Sequence, residues 1–113
     1  RSFLYKKLPV MKDWHEKYKK PIFLTEFGAD TIAGFHSDPP VMYSEEHQCA
    51  FLEEYLKTVK ELDFVIGEHV WNLADFETKQ EIRRVMGNRK GVFTRDRRPK
   101  MAAHLLKKWW SRD

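Results

Sequence analysis

Apolar residues recur along this chain at two periods, and the period changes at prolines and glycines. Met11, Trp14 and Tyr18 stand at helical spacing, with Lys12, Asp13, Glu16 and Lys17 on the other side. Pro9 suits the first position of that helix, and Pro21 ends it. Ile22-Phe23-Leu24-Thr25-Glu26 follows, closed by Phe27-Gly28. So short and apolar a run predicts a strand buried on both faces, as in a parallel sheet. Residues 29–43 predict a long loop punctuated by Gly34 and Pro39-Pro40. Ser44 is a natural N-cap, and Glu45 and Glu46 favour the first helical turn behind it. Leu52, Tyr55, Leu56 and Val59 give that helix its apolar stripe. Residues 64–71, rich in β-branched and aromatic side chains, predict a second strand. A second long loop, 72–98, precedes a last helix opened by Pro99 and lined by Met101, Leu105 and Trp109.

The order helix, strand, helix, strand, helix argues an α/β fold with a parallel sheet. Two strands are too few for a finished sheet of that kind. A (β/α)8 barrel takes about 250 residues, and this chain has 113. Both long loops follow the C-terminal end of a strand, where such barrels place their active sites. The alternative is a small, complete three-layer domain.

Composition narrows the classes. Hydrophobic residues make up 42% and charged residues 34%, with eight Phe, four Trp and four Tyr to build a core. Five glycines and five prolines exclude collagen-like and linker character. Apolar stretches such as Phe64-Val65-Ile66 fall far short of the roughly 20 residues that a membrane helix needs. Cys49 is the single cysteine, so no internal disulfide forms. A reduced, cytoplasmic setting is the expectation, with the lysosome as the alternative for an animal source. The formal net charge of +4 is spread among acids, and Asp96 interrupts even the densest basic stretch, 95–100. No nucleic-acid module is recognisable. Residues 1–10 lack a signal-peptide core, and a start at Arg1 reads as a processed or excised piece.

Three blocks carry a resemblance. They are Thr25-Glu26-Phe27-Gly28-Ala29-Asp30-Thr31-Ile32-Ala33-Gly34-Phe35-His36, then Val70-Trp71-Asn72-Leu73-Ala74-Asp75-Phe76, then Gly87-Asn88-Arg89-Lys90-Gly91-Val92-Phe93-Thr94-Arg95. In this order and spacing they resemble the β-glucuronidases of glycoside hydrolase family 2, over nearly the whole chain. The resemblance implies that residues 1–113 are a C-terminal fragment of the family's catalytic TIM barrel: its last two βα units, strands seven and eight, with the preceding helix. It implies a glucuronide substrate, no cofactor and no metal. The remainder of the barrel and two β-sandwich domains are expected as partners, and a homo-oligomer is compatible with it. In the family an Asn-Glu pair after strand four supplies the acid/base, and no Asn-Glu dipeptide occurs here.

A retaining glycosidase uses two carboxyls about 5–5.5 Å apart, one of them attacking the anomeric carbon. Glu26 ends the first strand, and the parity of Ile22, Leu24 and Glu26 predicts that it points into the barrel mouth. A glutamate at a strand end is commonly a surface carboxylate; the resemblance makes Glu26 the nucleophile. Trp71, otherwise a core tryptophan, is implied to cover the apolar face of the sugar. Asn88 and Lys90 match the family's Asn-x-Lys motif, implied to grip the glucuronide carboxylate through charge-assisted hydrogen bonds. Arg84 matches an arginine near the same carboxylate, and Arg89 is expected to point outward without consequence. Asp30 and His36 could order the loop after Glu26 or touch substrate, and His69 shares the parity of Trp71. Mid-helix Cys49 reads as a spacer, and the five histidines show no metal-ligand spacing. Two rivals stand: another family 2 glycosidase, a β-galacturonidase or β-galactosidase, and a non-catalytic chain that works only with a partner.

Overall fold

The computed structural model describes residues 3–111, and Arg1 lies outside the described residues. Five elements follow one another: α1 (Lys7–Tyr18), β1 (Ile22–Phe27), α2 (Glu45–Glu61), β2 (Val65–Val70) and α3 (Met101–Trp110). The strands pair in parallel, so the α/β reading and the parallel sheet stand. Each strand presents one unpaired edge in this two-stranded sheet.

Helix α2 forms as its sequence predicts. The Ser44 hydroxyl accepts the His47 N–H at 3.1 Å, and Leu52, Tyr55, Leu56 and Val59 are all buried. Leu52, Tyr55 and Leu56 meet Phe27 of β1, Met11 of α1, and Ala102 and Leu106 of α3 in one core. Phe27 stacks on Tyr55 with ring centroids 4.9 Å apart. Helix α3 lacks a side-chain cap of its own. The buried Glu45 carboxylate serves instead, accepting the Met101 N–H at 2.7 Å; a carboxylate there satisfies an orphan donor and suits the helix dipole.

Several expectations need correction. Helix α1 begins two residues before Pro9, which falls in its first turn, where a proline is tolerated. Of its predicted stripe only Met11 is buried; Trp14 and Tyr18 are 56% and 59% exposed, because nothing among the described residues covers them. Strand β1 is covered on one face, not two: Ile22 and Leu24 pack toward the helices while Phe23 stays exposed. Its register breaks between Leu24 and Phe27. Phe27 therefore joins Ile22 and Leu24 on the helix side, and Glu26 faces the open side with Phe23. The predicted parity of Glu26 with Leu24 was wrong by that irregularity. Strand β2 is one residue shorter at each end than the predicted 64–71. In α3 the buried pair is Ala102 and Leu106, with Leu105 and Trp109 partly buried; Met101 is exposed.

Candidate active site

Parallel pairing carries the C-terminal ends of both strands to one end of the sheet. Phe27 lies opposite Val70, and the Trp71 N–H donates to the Phe27 carbonyl at 2.8 Å. Glu26 and Trp71 thus come to the same rim from residues 45 apart in sequence. Gly28 fits between the returning segments. A Cβ there would run into the Trp71 carbonyl and stand 3.8 Å from the Lys90 Cβ. Its close approach is what lets Trp71 and Lys90 meet beyond the Glu26 strand.

The 88–90 segment is tied across this rim by backbone bonds. Arg89 O accepts the Thr31 N–H at 2.9 Å, and Lys90 O accepts the Asn72 N–H at 3.2 Å. The fully buried Gln48 amide donates to the Gly91 carbonyl at 3.0 Å. Asn88 and Phe76 exchange backbone bonds at 2.9 and 3.1 Å. Among the described residues, neither the Glu26 carboxylate nor the Lys90 ammonium has a hydrogen-bond or ion-pair partner. Trp71 is 38% exposed and meets Phe76 edge to face. An unpaired carboxylate, an unpaired ammonium and a partly open indole share one rim. Such a set can attack an electrophilic carbon, hold an anion and cover an apolar ring face.

Asn88 and Arg84 are placed differently from Lys90. Asn88 is buried, and its side-chain carbonyl accepts the Lys90 N–H at 3.0 Å, so the amide NH2 is the part left to donate. Arg84 stands 3.6 Å from the Asp30 carboxylate, whose other oxygen accepts the Arg89 N–H at 3.2 Å. Asp30 therefore orders the rim, linking Arg84 to the loop after β1. His36 also orders: its ring meets the Glu46 carboxylate at 2.8 Å. His69 lies on the open face against Phe23. Arg89 does not simply point outward. Its guanidinium lies 3.7 Å from the buried Asp75.

A sequence family model, glycosyl hydrolases family 2, TIM barrel domain, matches residues 3–112. The chain belongs to glycoside hydrolase family 2. Within family 2 it is 56% identical over 100 residues to a β-glucuronidase of Paenibacillus borealis, covering 88% of this chain and 17% of that protein. It is 52% identical over 102 residues to a β-glucuronidase of Homo sapiens, covering 88% of this chain and 16% of that protein. A solved β-D-glucuronidase of Dictyoglomus thermophilum superposes with a TM-score of 0.86 at 48% identity, over 100% of this chain and 22% of the other. A Ruminococcus gnavus β-glucuronidase in complex with uronic isofagomine gives 0.85 at 49% identity, over 89% and 17%. The chain thus spans about a fifth of the length of these relatives, and its two-stranded sheet is part of a TIM barrel domain.

The sequence reading missed Asp75, Lys100, Gln48 and Glu45, which are buried and polar. Asp75 stands between Ala74 and Phe76, and Lys100 directly before the apolar start of α3. For Asp75, a charge inside an apolar run was the available signal. Burial raises the Cys49 thiol from its ordinary 9.0 to about 11, with Glu45, Glu46 and Glu53 adding to it; an inert, half-buried cysteine fits the spacer role. No group of three or more His, Cys, Asp or Glu that could hold a metal occurs among the described residues, and no helix of the described residues is long and apolar enough to cross a membrane.

Proposed function

We propose that this chain carries strands seven and eight of the barrel of a retaining β-glucuronidase, together with its nucleophile. Glu26 attacks the anomeric carbon of a β-D-glucuronide and forms a covalent glycosyl-enzyme, which water then hydrolyses. Trp71 covers the apolar face of the sugar. Lys90 binds the sugar carboxylate, with the Asn88 amide NH2 beside it and Arg84 on the same rim. The proton-donating carboxyl comes from the rest of the polypeptide.

The observation that carries this reading is the pair of unpaired charges on one rim, Glu26 and Lys90, on either side of Gly28. A neutral sugar gives the Lys90 ammonium no anion to bind, whereas a uronic acid does. The likeness to a β-glucuronidase solved with uronic isofagomine supports the same substrate class. The test is to inactivate the complete enzyme with a 2-fluoro-β-glucuronide and map the adduct by peptide mass. Label on Glu26 is expected; label on another carboxylate overturns the assignment.

A further inference from the structure

Three segments of the rim converge on one buried ammonium. The Lys100 side chain is 0% exposed. Its Nζ donates to the Thr31 carbonyl at 3.1 Å, the Arg89 carbonyl at 3.2 Å and the Asp75 carboxylate at 2.9 Å. Three acceptors use every proton of an ammonium, so the arrangement suits the charged form. The Asp75 carboxylate also accepts the Gly91 N–H at 3.0 Å. Lys90 is therefore bracketed: the carbonyl before it is held by Lys100, and the N–H after it by Asp75. Burying two charges is costly, and an apolar pair of similar volume often serves stability as well or better. An apolar pair could not hold those two backbone groups.

We propose that Lys100 and Asp75 are positioning residues, fixing the backbone on both sides of Lys90 and so aiming its ammonium at the sugar carboxylate. The proposal rests on the reading of Lys90 given above. Neither residue touches substrate.

The experiment uses the complete enzyme with three variants: Lys100→Met, the double variant Asp75→Leu/Lys100→Met, and Lys90→Ala. kcat and KM are measured on matched aryl β-glucuronide and β-glucoside, and folding is followed by thermal melting. Loosening Lys90 by about 1 Å should lower kcat/KM for the glucuronide on the order of 10²-fold, chiefly through KM. A purely structural defect would reduce the active fraction, lowering kcat on both substrates alike and leaving KM unmoved. The double variant removes both fully buried charges and leaves only the part-exposed Arg89 guanidinium without its Asp75 partner, so it keeps the test open if Lys100→Met fails to fold. A folded Lys100→Met or double variant that keeps the wild-type glucuronide-to-glucoside ratio, while Lys90→Ala loses it, overturns the inference and leaves the reading of Lys90 standing. An unchanged ratio in Lys90→Ala overturns that reading itself.

Discussion

Replacing Gly28 by alanine adds one methyl group at the most crowded point of the rim. The new Cβ would lie 3.0 Å from the Trp71 carbonyl carbon and nearer still to its oxygen, inside ordinary van der Waals contact at 3.4–4 Å. The obstacle is backbone, not the end of a flexible side chain. Nor can the Trp71 carbonyl swing aside freely, because Trp71 N–H is bonded to Phe27 O at 2.8 Å and the next N–H, of Asn72, to Lys90 O at 3.2 Å. The strands must part by on the order of 1 Å, a displacement that costs roughly 10²-fold when it reaches reacting groups. Overpacking of this kind costs about 1–3 kcal/mol of stability. In the complete enzyme, Gly28→Ala should therefore lower both the melting temperature and kcat/KM on a glucuronide. Gly34→Ala is the control. Its Cβ meets nothing within 4 Å, but its φ of +81° strains any side chain, at about 1–2 kcal/mol. It should lower the melting temperature and spare turnover. Full activity and an unchanged melt for Gly28→Ala would refute the steric argument.

Four further outcomes are expected. Glu26→Gln in the complete enzyme should keep the fold and lose turnover, since the exposed side chain bonds to nothing among the described residues; measurable retaining hydrolysis by a contaminant-free preparation would count against the nucleophile. Lys90→Ala should cost on the order of 2–5 kcal/mol in kcat/KM toward glucuronides, as for losing one partner of a buried charge pair, and far less toward glucosides; equal losses on both would make the motif structural. The 113 residues alone should be inert and self-associating: the proposed function puts the proton donor, worth roughly 10²–10⁴-fold, in the rest of the polypeptide, and unpaired strand edges are exposed, so turnover by a monodisperse preparation would contradict this. A Cys49 thiol raised from 9.0 to about 11 should be alkylated by iodoacetamide at pH 8 about 100-fold more slowly than a free thiol, the rate climbing with pH; alkylation at the free-thiol rate would contradict the burial.

Local signals read well where one mechanism dominates. The Ser44 cap and the stripe Leu52, Tyr55, Leu56 and Val59 predict α2 because hydroxyl capping and helical burial both act within a few residues. The order of elements and the parallel sheet follow from the same periodicities. The shared parity of Glu26 with Leu24 did not hold, because strict alternation cannot foresee a register break between Leu24 and Phe27. Trp14 and Tyr18 look like core by spacing and stay exposed, since periodicity marks a face without saying what covers it. Arg89 is expected to point outward and Lys100 to be a solvated charge of the basic stretch 95–100, yet both turn toward Asp75. Their partner is 14 and 25 residues away, beyond any local rule. The motif blocks located the rim; only the fold showed that Asn88 spends its side-chain carbonyl on the Lys90 N–H.

Residues 72–98 contain neither helix nor strand, yet their backbone is bonded to Phe76, Asn72, Leu73 and Val92 partners, and through Thr31 and Gln48 to the rest of the rim. The amides of Asn88, Gly91 and Val92 should consequently exchange hydrogen for deuterium as slowly as those of β2, and far more slowly than an ordinary loop of that length. A segment tied in this way does not swing as a lid would. Selectivity built on it changes by replacing the side chains it displays, while insertions or deletions in the 88–92 stretch would tear bonds on both sides. Evolution of new sugar preferences on this scaffold should therefore proceed by point substitution there and leave the length of that stretch unaltered.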